Sequence, residues 1–382
     1  MRGKGRTRTD GRAVDIMRRG APPVSALPST PSVALECRPT PQATELCGQF
    51  QNCPTFGALD LGTNNCRLLI ARPSGDDFII VDAYSRIVRL GEGMTASGRM
   101  SEAAMDRALD ALSVCADKLR RRRVILSRAV ATEACRRAAN GREFWDRVRH
   151  ETGIALDVIS AEEEARLAVL GCYQSLSKGE GPALLFDIGG GSTEVVLLDD
   201  SGDQPEILDW QSIPWGVVTL SEAERHDSDN ADSRAAAYAA MRARVRFALA
   251  DFSARIDHHC PNRNDGDIRL LGTSGTVTTL ASLYLGLASY DRSQVDGQNI
   301  AASDMRYQCA RLAGMSLSDL TQLACIGRDR ADLVVAGCAA LEEICDIWPA
   351  HSIDVADRGI REGVLRQMMR AHSVRPKRNA RG

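Results

Sequence analysis

This sequence has few aromatic residues, no long apolar run and almost no net charge. Aromatic side chains make up 4% of its 382 residues, yet 44% are apolar, which suffices for a sizeable core and excludes a disordered protein. No run of eighteen apolar residues occurs, so we expect no membrane-spanning helix and no membrane partner. The formal net charge of −2 argues against a surface built as a whole to hold nucleic acid, and we expect no specific nucleic-acid partner.

The twelve cysteines never form a Cys-x-x-Cys pair. The sequence therefore offers no support for a zinc site, and no secretory signal accompanies the cysteines. We interpret them as reduced, mostly buried thiols in a cytoplasmic protein.

Charge is distributed unevenly along the chain. Residues 1–52 carry a net charge of +4 and six of the fourteen prolines, which predicts a disordered basic N-terminal tail. Residues 373–382 carry another +4 and are interpreted as a second basic tail, so the body at residues 53–372 carries −10. Within it, residues 118–149 carry a net +8, which is typical of a solvated face and leaves a track for a polyanion as the alternative.

Strands and helices alternate along the body in two cycles, which indicates a two-domain α/β chain. We place the first domain at residues 53–180 and the second at residues 181–372. The predicted strands are Phe56–Leu61, Cys66–Arg72, Phe78–Tyr84, Ile87–Leu90, Val124–Ala131, Ala155–Ile159, Ala183–Ile188, Glu194–Leu198, Ile207–Ile213 and Asp267–Leu271. The predicted helices are Ser101–Leu119, Glu143–His150, Ser233–Arg255, Thr276–Leu285, Ser316–Cys325, Ala331–Ile347 and Gly359–Arg370, with one more beginning after Ile159.

Both cycles begin with the same pattern, because residues 58–70 align without a gap with residues 185–197. Each copy is an apolar strand that ends in aspartate (Asp60 or Asp187), a glycine-rich polar turn and a second apolar strand. Exposed backbone N–H groups in such a turn bind phosphate oxygens, while the aspartate can hold Mg²⁺ or orient a water. A tight hairpin explains one such turn, but two copies, each preceded by aspartate, favour phosphate binding.

Two further features point in the same direction. The turn Gly272–Thr276 follows an apolar strand and opens a helix, which indicates either an anion site or an ordinary helix cap. Ser160 and Glu163 have capping-box spacing, and Glu164 lies one residue further on, in line with the packing face of its helix. Position alone leaves two roles for Glu164: an acid that stabilises the helix dipole, or a general base with a raised pKa.

Taken together, these motifs resemble the exopolyphosphatase and guanosine pentaphosphate phosphatase family over roughly residues 55–370. The markers occur in the order of the family, and they are Ala58–Asn64, Val88–Gly93, Ala131–Arg136, Ile159–Leu167, Phe186–Glu194, Gly272–Thr276, Asp329–Asp332 and Asp357–Gly363.

The resemblance implies two ribonuclease H-like domains of the actin-like ATPase superfamily, with the active site in the cleft between them. It implies that the C-terminal helices pack back toward the first domain. It also implies Mg²⁺-dependent hydrolysis of terminal phosphate from inorganic polyphosphate, or of the 5′-γ-phosphate from guanosine pentaphosphate. Because the sequence ends soon after Gly363, we expect no HD-like C-terminal domain.

The resemblance also implies roles for individual residues. Glu164 corresponds to the base that activates water, and Asp187 and Glu194 to acids that support metal or water. The implied metal ligands are Asp60, Glu164, Asp187 and Glu194. The implied phosphate-binding residues are Gly62, Thr63, Asn64, Asn65, Arg67, Arg89, Arg136, Gly189, Gly190, Gly191, Ser192, Thr193, Ser274, Gly275 and Thr276.

Hypotheses of other classes remain open at this point. An ATP-dependent kinase or ATPase of the same superfamily would place ATP between Asp60 and Asp187, although no clear adenosine-binding segment follows Gly275. A non-catalytic sensor that binds a phosphorylated alarmone is the third hypothesis, and a homodimer is also left open.

Overall fold

The computed structural model describes residues 54–374 except 76, 180, 203 and 261–266. The predicted N-terminal tail and nearly all of the predicted C-terminal tail lie outside these residues. No helix in the described ranges combines the length and apolarity needed to cross a membrane. The predicted domain boundary at residue 180 stays a prediction.

The first sheet has five strands in the order β3-β2-β1-β4-β5. β1 pairs antiparallel with β2 and parallel with β4, so every residue of this central strand except Asp60 is buried. The strands are β1 (Phe56–Leu61), β2 (Asn65–Ser74), β3 (Asp77–Ile87), β4 (Leu126–Ala131) and β5 (Leu156–Val158).

The second sheet has six strands in the order β10-β11-β9-β6-β7-β8 and repeats the arrangement of the first. β6 pairs antiparallel with β7 and parallel with β9. The strands are β6 (Ala183–Ile188), β7 (Thr193–Asp199), β8 (Glu206–Ile213), β9 (Arg269–Thr273), β10 (Asn299–Ala301) and β11 (Ser352–Ala356).

The repeat seen in the sequence is a structural repeat. In the first hairpin Asp60 is the cross-strand partner of Arg67, and in the second hairpin Asp187 is the cross-strand partner of Glu194. Both glycine-rich turns therefore leave the ends of equivalent central strands, with the aspartate one residue before each strand ends.

Helices cover both sheets and connect their strands. The helix after Ser101 begins as the sequence predicts, because the Ser101 side chain accepts a hydrogen bond from the Ala104 backbone N–H at 3.2 Å. The helices are α1 (Met94–Ser97), α2 (Glu102–Arg121), α3 (Glu133–Arg137), α4 (Gly141–Thr152), α5 (Ala161–Cys172), α6 (Val217–Ala223), α7 (Ala231–His259), α8 (Gly275–Tyr284), α9 (Arg292–Val295), α10 (Ala302–Gly314), α11 (Leu317–Gln322), α12 (Val334–Ile347) and α13 (Ile360–Val374).

Helix α13 packs against the first sheet and against α5. Val364 and Leu365 join a buried apolar cluster with Phe56 of β1 and Leu167 of α5. This contact fixes the position of α5, the helix that carries Glu164.

The predicted strand Ile87–Leu90 is wrong, because β3 ends at Ile87. Arg89 has a φ of 47°, and the N–H groups of Val88 and Arg89 donate to the Asn64 carbonyl at 2.8 and 3.0 Å. The segment is thus bound to the first glycine-rich turn instead of extending the sheet.

Several predicted helices differ in extent from the observed ones. The helix predicted at Ser316–Cys325 is confined to Leu317–Gln322, and the one predicted from Ala331 begins at Val334. The last helix continues to Val374. The sequence patterns missed α10 and the short strand β11, which is held by parallel pairing with β9.

Candidate active site

A cleft of about 130 Å³ lies where the two glycine-rich turns meet. Residues from both sheets, from α5 and from the start of α8 line it. The predicted site residues that it brings together are Asp60, Thr63, Asn64, Asn65, Arg67, Glu164, Asp187, Gly189, Gly190, Gly191, Ser192, Glu194, Ser274, Gly275 and Thr276.

The two turns touch each other through their backbones. A Cβ on Gly190 would lie 3.0 Å from the Asn64 backbone nitrogen, and one on Gly191 would lie 2.6 Å from Thr63 Oγ1. Glycine is required here because any side chain would push the turns apart.

Backbone amides of these turns are free to bind an anion. Within the described ranges, no hydrogen bond is donated by the backbone N–H groups of Thr63, Asn64, Gly190, Gly191 and Ser192. Unbonded N–H groups that converge on a cleft are the donors that hold phosphate oxygens.

The third turn leads into helix α8. Ser274 has a φ of 110°, a conformation that a non-glycine residue adopts only at a cost of about 1–3 kcal/mol. Its hydroxyl accepts from the Thr276 N–H at 3.3 Å, so the turn caps the helix. The turn also lines the cleft, and the anion site there stays a prediction.

Glu164 is buried at the head of α5, with 6% of its surface exposed. The hydroxyl of Ser160 accepts from the Glu163 N–H at 3.1 Å and begins the helix one turn earlier. Burial and the nearby Glu194 raise the pKa of Glu164 well above its ordinary value, although Arg136 opposes them by donating from Nη1 to Oε2 at 3.1 Å. A buried carboxyl with a raised pKa is suited to accept a proton from water.

Asp187 and Glu194 face the same cleft from adjacent strands. Burial raises the pKa of Asp187 to about 6. Burial, reinforced by the charge of Asp187, raises the pKa of Glu194 to about 7, while the Ser212 hydroxyl donates to Glu194 Oε1 at 2.8 Å.

Glu194→Gln is expected to stabilise the fold above pH 7. Because the folded-state pKa of Glu194 lies above the unfolded value, the stability it contributes is present below about pH 4.5 and lost as pH rises through about 7. Glutamine does not titrate, so we expect a gain of roughly 1–2 kcal/mol at pH 8 and little difference at pH 4.5. Thermal unfolding of parent and variant at both pH values measures this, and an equal difference at both would contradict it.

Asp60 has the character of a cation ligand. Burial raises its pKa against the opposing charge of Arg67, and its Oδ1 is buried without a hydrogen-bond partner. No group of three or more His, Cys, Asp or Glu side chains in the described ranges is arranged to hold a metal ion. Mg²⁺ usually takes one or two carboxylates, several waters and substrate phosphates, so the unpartnered Asp60 oxygen fits that mode of binding.

Arg67 and Arg330 form the cationic wall of the cleft. Within the described part of the chain, neither guanidinium makes a hydrogen bond or an ion pair to a carboxylate. Burial, with the charge of Arg67 second, lowers the pKa of Arg330. The sequence patterns did not predict Arg330 as a site residue. The one feature of the sequence that points to it is its place in the motif Asp329–Asp332.

Four predicted phosphate-binding residues do not line the cleft. Gly62 donates its N–H to the Asn65 carbonyl at 2.9 Å, and buried Thr193 donates its hydroxyl to the Trp215 carbonyl at 2.7 Å. The side chain of Arg136 is engaged with carboxylates. The fourth residue, Arg89, lines a different cavity.

Arg89 lines a neighbouring cavity of about 620 Å³. It donates to both oxygens of Asp332 at 2.8 and 3.0 Å, which neutralises its charge. Other carboxylates at this cavity are also engaged, since Glu92 pairs with Arg107. Arg89 is therefore already paired at this larger cavity and does not line the cleft.

The basic run at residues 118–149 is mostly an ion-paired face. Lys118 and Arg122 bind Asp82, and Arg147 pairs with three acids. Arg136 is the member of the run that contacts Glu164. A continuous polyanion track along this run is not what the structure shows.

Comparisons with known proteins agree with this geometry. A model of the Ppx/GppA phosphatase family matches residues 69–372. Exopolyphosphatase 2 of Mycobacterium tuberculosis is 31% identical over 321 residues, which cover 80% of this chain and 96% of that protein. Guanosine-5′-triphosphate,3′-diphosphate pyrophosphatase of Aeromonas salmonicida is 30% identical over 83% of this chain, but this chain spans only 60% of that relative.

Solved structures are similar over nearly their whole length. An exopolyphosphatase from Cytophaga hutchinsonii superposes with a TM-score of 0.73 at 28% identity, over 83% of this chain and 98% of that one. A Ppx/GppA family member from Aquifex aeolicus has a TM-score of 0.68 at 26% identity, over 84% of this chain and 99% of that one. The predicted two-domain, ribonuclease H-like α/β fold is confirmed. With matching sequence, matching fold and a cleft lined by the motifs of the family, this chain is a hydrolase that belongs to the Ppx/GppA phosphatase family.

Proposed function

We propose that this enzyme hydrolyses the terminal phosphoanhydride bond of inorganic polyphosphate and releases orthophosphate. The observation that carries the proposal is the buried carboxyl of Glu164, with its raised pKa, facing a cleft of unbonded backbone amides. Desolvation raises the proton affinity of the buried carboxylate, which suits it to accept a proton from water.

The residues of the cleft divide the work of phosphoanhydride hydrolysis. Unbonded amides of the turns at Thr63 and Gly190 would hold the terminal phosphate oxygens, and Arg67 and Arg330 would neutralise charge on the chain. Glu164 would accept a proton from the attacking water while the oxygen of that water forms a bond to phosphorus. The bridging oxygen leaves with the electrons of the broken bond, on the side opposite the water.

Mg²⁺ is the proposed cofactor, and Asp60 and Asp187 are the residues best suited to hold it, with Glu194 beside them. When bound, the ion would supply positive charge to the phosphate oxygens. The raised pKa values of Asp187 and Glu194 support this, since mutually repelling buried carboxylates are stabilised by a cation.

Guanosine pentaphosphate is the second candidate substrate. The similarity to the Aeromonas pyrophosphatase favours it, and its 5′-triphosphate ends in the same kind of anhydride. The guanidinium groups of Arg67 and Arg330, which form no ion pair with a carboxylate among the described residues, suit a run of phosphates in either molecule.

Phosphate release from a panel of substrates tests the proposal. The panel contains tripolyphosphate, long-chain polyphosphate, guanosine pentaphosphate and ATP, each with Mg²⁺ and with a chelator. We expect polyphosphate turnover that is at least about tenfold faster than that of ATP and is lost with the chelator. Faster release from guanosine pentaphosphate would select the second candidate. Preferred hydrolysis of ATP would favour an ATPase, and tight binding without turnover would favour a sensor.

A further inference from the structure

Glu133 lies between Arg136 and the second glycine-rich turn. It is the first residue of α3, at the carboxyl end of β4, and its side chain is 13% exposed. Its Oε2 accepts hydrogen bonds from Arg136 Nε at 3.2 Å and from Arg136 Nη2 at 2.5 Å. One carboxylate oxygen therefore holds one whole edge of the guanidinium.

The remaining guanidinium nitrogen of Arg136, Nη1, contacts Glu164. Nη1 donates to the Ile159 carbonyl at 2.8 Å and to Glu164 Oε2 at 3.1 Å. Because a guanidinium is planar and rigid, holding its Nε–Nη2 edge determines where Nη1 points. Among the described residues, Glu133 forms no hydrogen bond or ion pair with Glu164, and the two are linked through Arg136.

The opposite side of Glu133 contacts the second glycine-rich turn. A Cβ on Gly191 would lie 3.0 Å from Glu133 Cγ, so this turn packs directly against the methylene groups of Glu133. The same side chain thus contacts the turn and orients the arginine that pairs with the base.

We propose that Glu133 is a positioning residue, which aligns Arg136 on Glu164 by holding the opposite edge of its guanidinium. This inference rests on the proposed function, because it assigns Glu133 a role in the same hydrolysis. Correct alignment holds the Glu164 carboxylate through its Oε2, which fixes the orientation of that carboxylate in the cleft.

Two conservative variants separate geometry from charge. Glu133→Gln keeps the length and an acceptor oxygen but loses the charge, whereas Glu133→Asp keeps the charge and is one methylene shorter. A positioning role predicts that Glu133→Gln stays within about threefold of the parent in both kcat and KM. It predicts that Glu133→Asp loses roughly tenfold or more in kcat, while its KM stays within about threefold of the parent value.

The experiment measures kcat and KM on the best substrate of the panel, with Mg²⁺, and the Tm of each full-length variant. Arg137→Ala is the matched control, because it removes the other ion pair of Glu133, at 3.5 Å, and leaves Arg136 in place. The control should keep the parent kcat and KM. If Glu133→Asp turns over as fast as Glu133→Gln or faster, or if its loss lies in KM and not in kcat, the positioning role is overturned. If the parent enzyme releases no phosphate from any substrate, the proposed function fails and this inference fails with it.

Discussion

Replacing Glu164 with glutamine is expected to lower phosphate release by about 10²–10⁴-fold while the fold remains intact. Glutamine has nearly the same shape but cannot accept the proton of the attacking water. The loss should appear in kcat, since the amides and arginines that hold phosphate are unchanged. Steady-state phosphate release from polyphosphate, with Tm as the check on folding, measures the effect.

Glu163→Gln is the matched control for this substitution. Glu163 is the preceding residue, but its carboxylate contacts Arg128 at 3.2 Å on the outer face of α5. The backbone N–H that Ser160 binds is retained, so the helix start is preserved. We expect the control to keep the parent rate. A Glu164→Gln enzyme that turns over as fast as this control would show that another group is the base.

The pH dependence of the parent gives a second check on the same residue. Because burial raises the pKa of Glu164 well above its ordinary value, kcat/KM should fall on the acid side at a pH above the usual glutamate range. The base must be ionised to accept a proton, so activity rises with pH through this limb.

Placing a methyl group on Gly363 is expected to unfold the enzyme or to destabilise it by about 3 kcal/mol or more. A Cβ there would lie 2.0 Å from the Leu167 carbonyl oxygen, a backbone atom of α5 that cannot move aside alone. The crossing of α5 and α13 is close at a second point, since a Cβ on Gly171 would lie 1.9 Å from the Gly359 carbonyl oxygen. Because α5 carries Glu164, any folded Gly363→Ala protein should also lose activity.

Gly314→Ala is the control for this prediction. Gly314 ends helix α10, and a Cβ there would have no neighbour within 4 Å. We expect it to be neutral or to stabilise slightly. Denaturant unfolding, together with the soluble yield of each variant, measures the difference. A Gly363→Ala protein as stable as Gly314→Ala would contradict close backbone packing between these helices.

Local patterns predicted the scaffold of the site well. β1 and β6 have the predicted bounds, and the 58–70 and 185–197 segments form equivalent hairpins. Strand alternation, glycine in a turn and an aspartate at the strand end are all encoded within about ten residues, so they are visible without the fold. Short elements held by distant partners were not visible, and β11 is one such element.

The placement of charges could not be predicted in the same way. Arg89 was expected at the phosphate, but Asp332, which is 243 residues away in sequence, binds it at a different cavity. Arg330 was seen only as part of a motif, and its position opposite Arg67 depends on how the second sheet meets the first. Each of these outcomes rests on contacts between distant segments, which a single sequence does not report.

The sequence by itself determined the repeat, the three glycine-rich turns, the two aspartates and the choice of Glu164 as a candidate base. Tertiary structure decided which side chains share the cleft, how far their pKa values are shifted and which charges are paired. Burial raises the pKa of Glu164 and of Glu194, and Arg136, which also pairs with Glu133, pairs with Glu164. The reason is physical: local backbone conformation depends on neighbouring residues, whereas desolvation and charge pairing depend on distant groups brought together by folding.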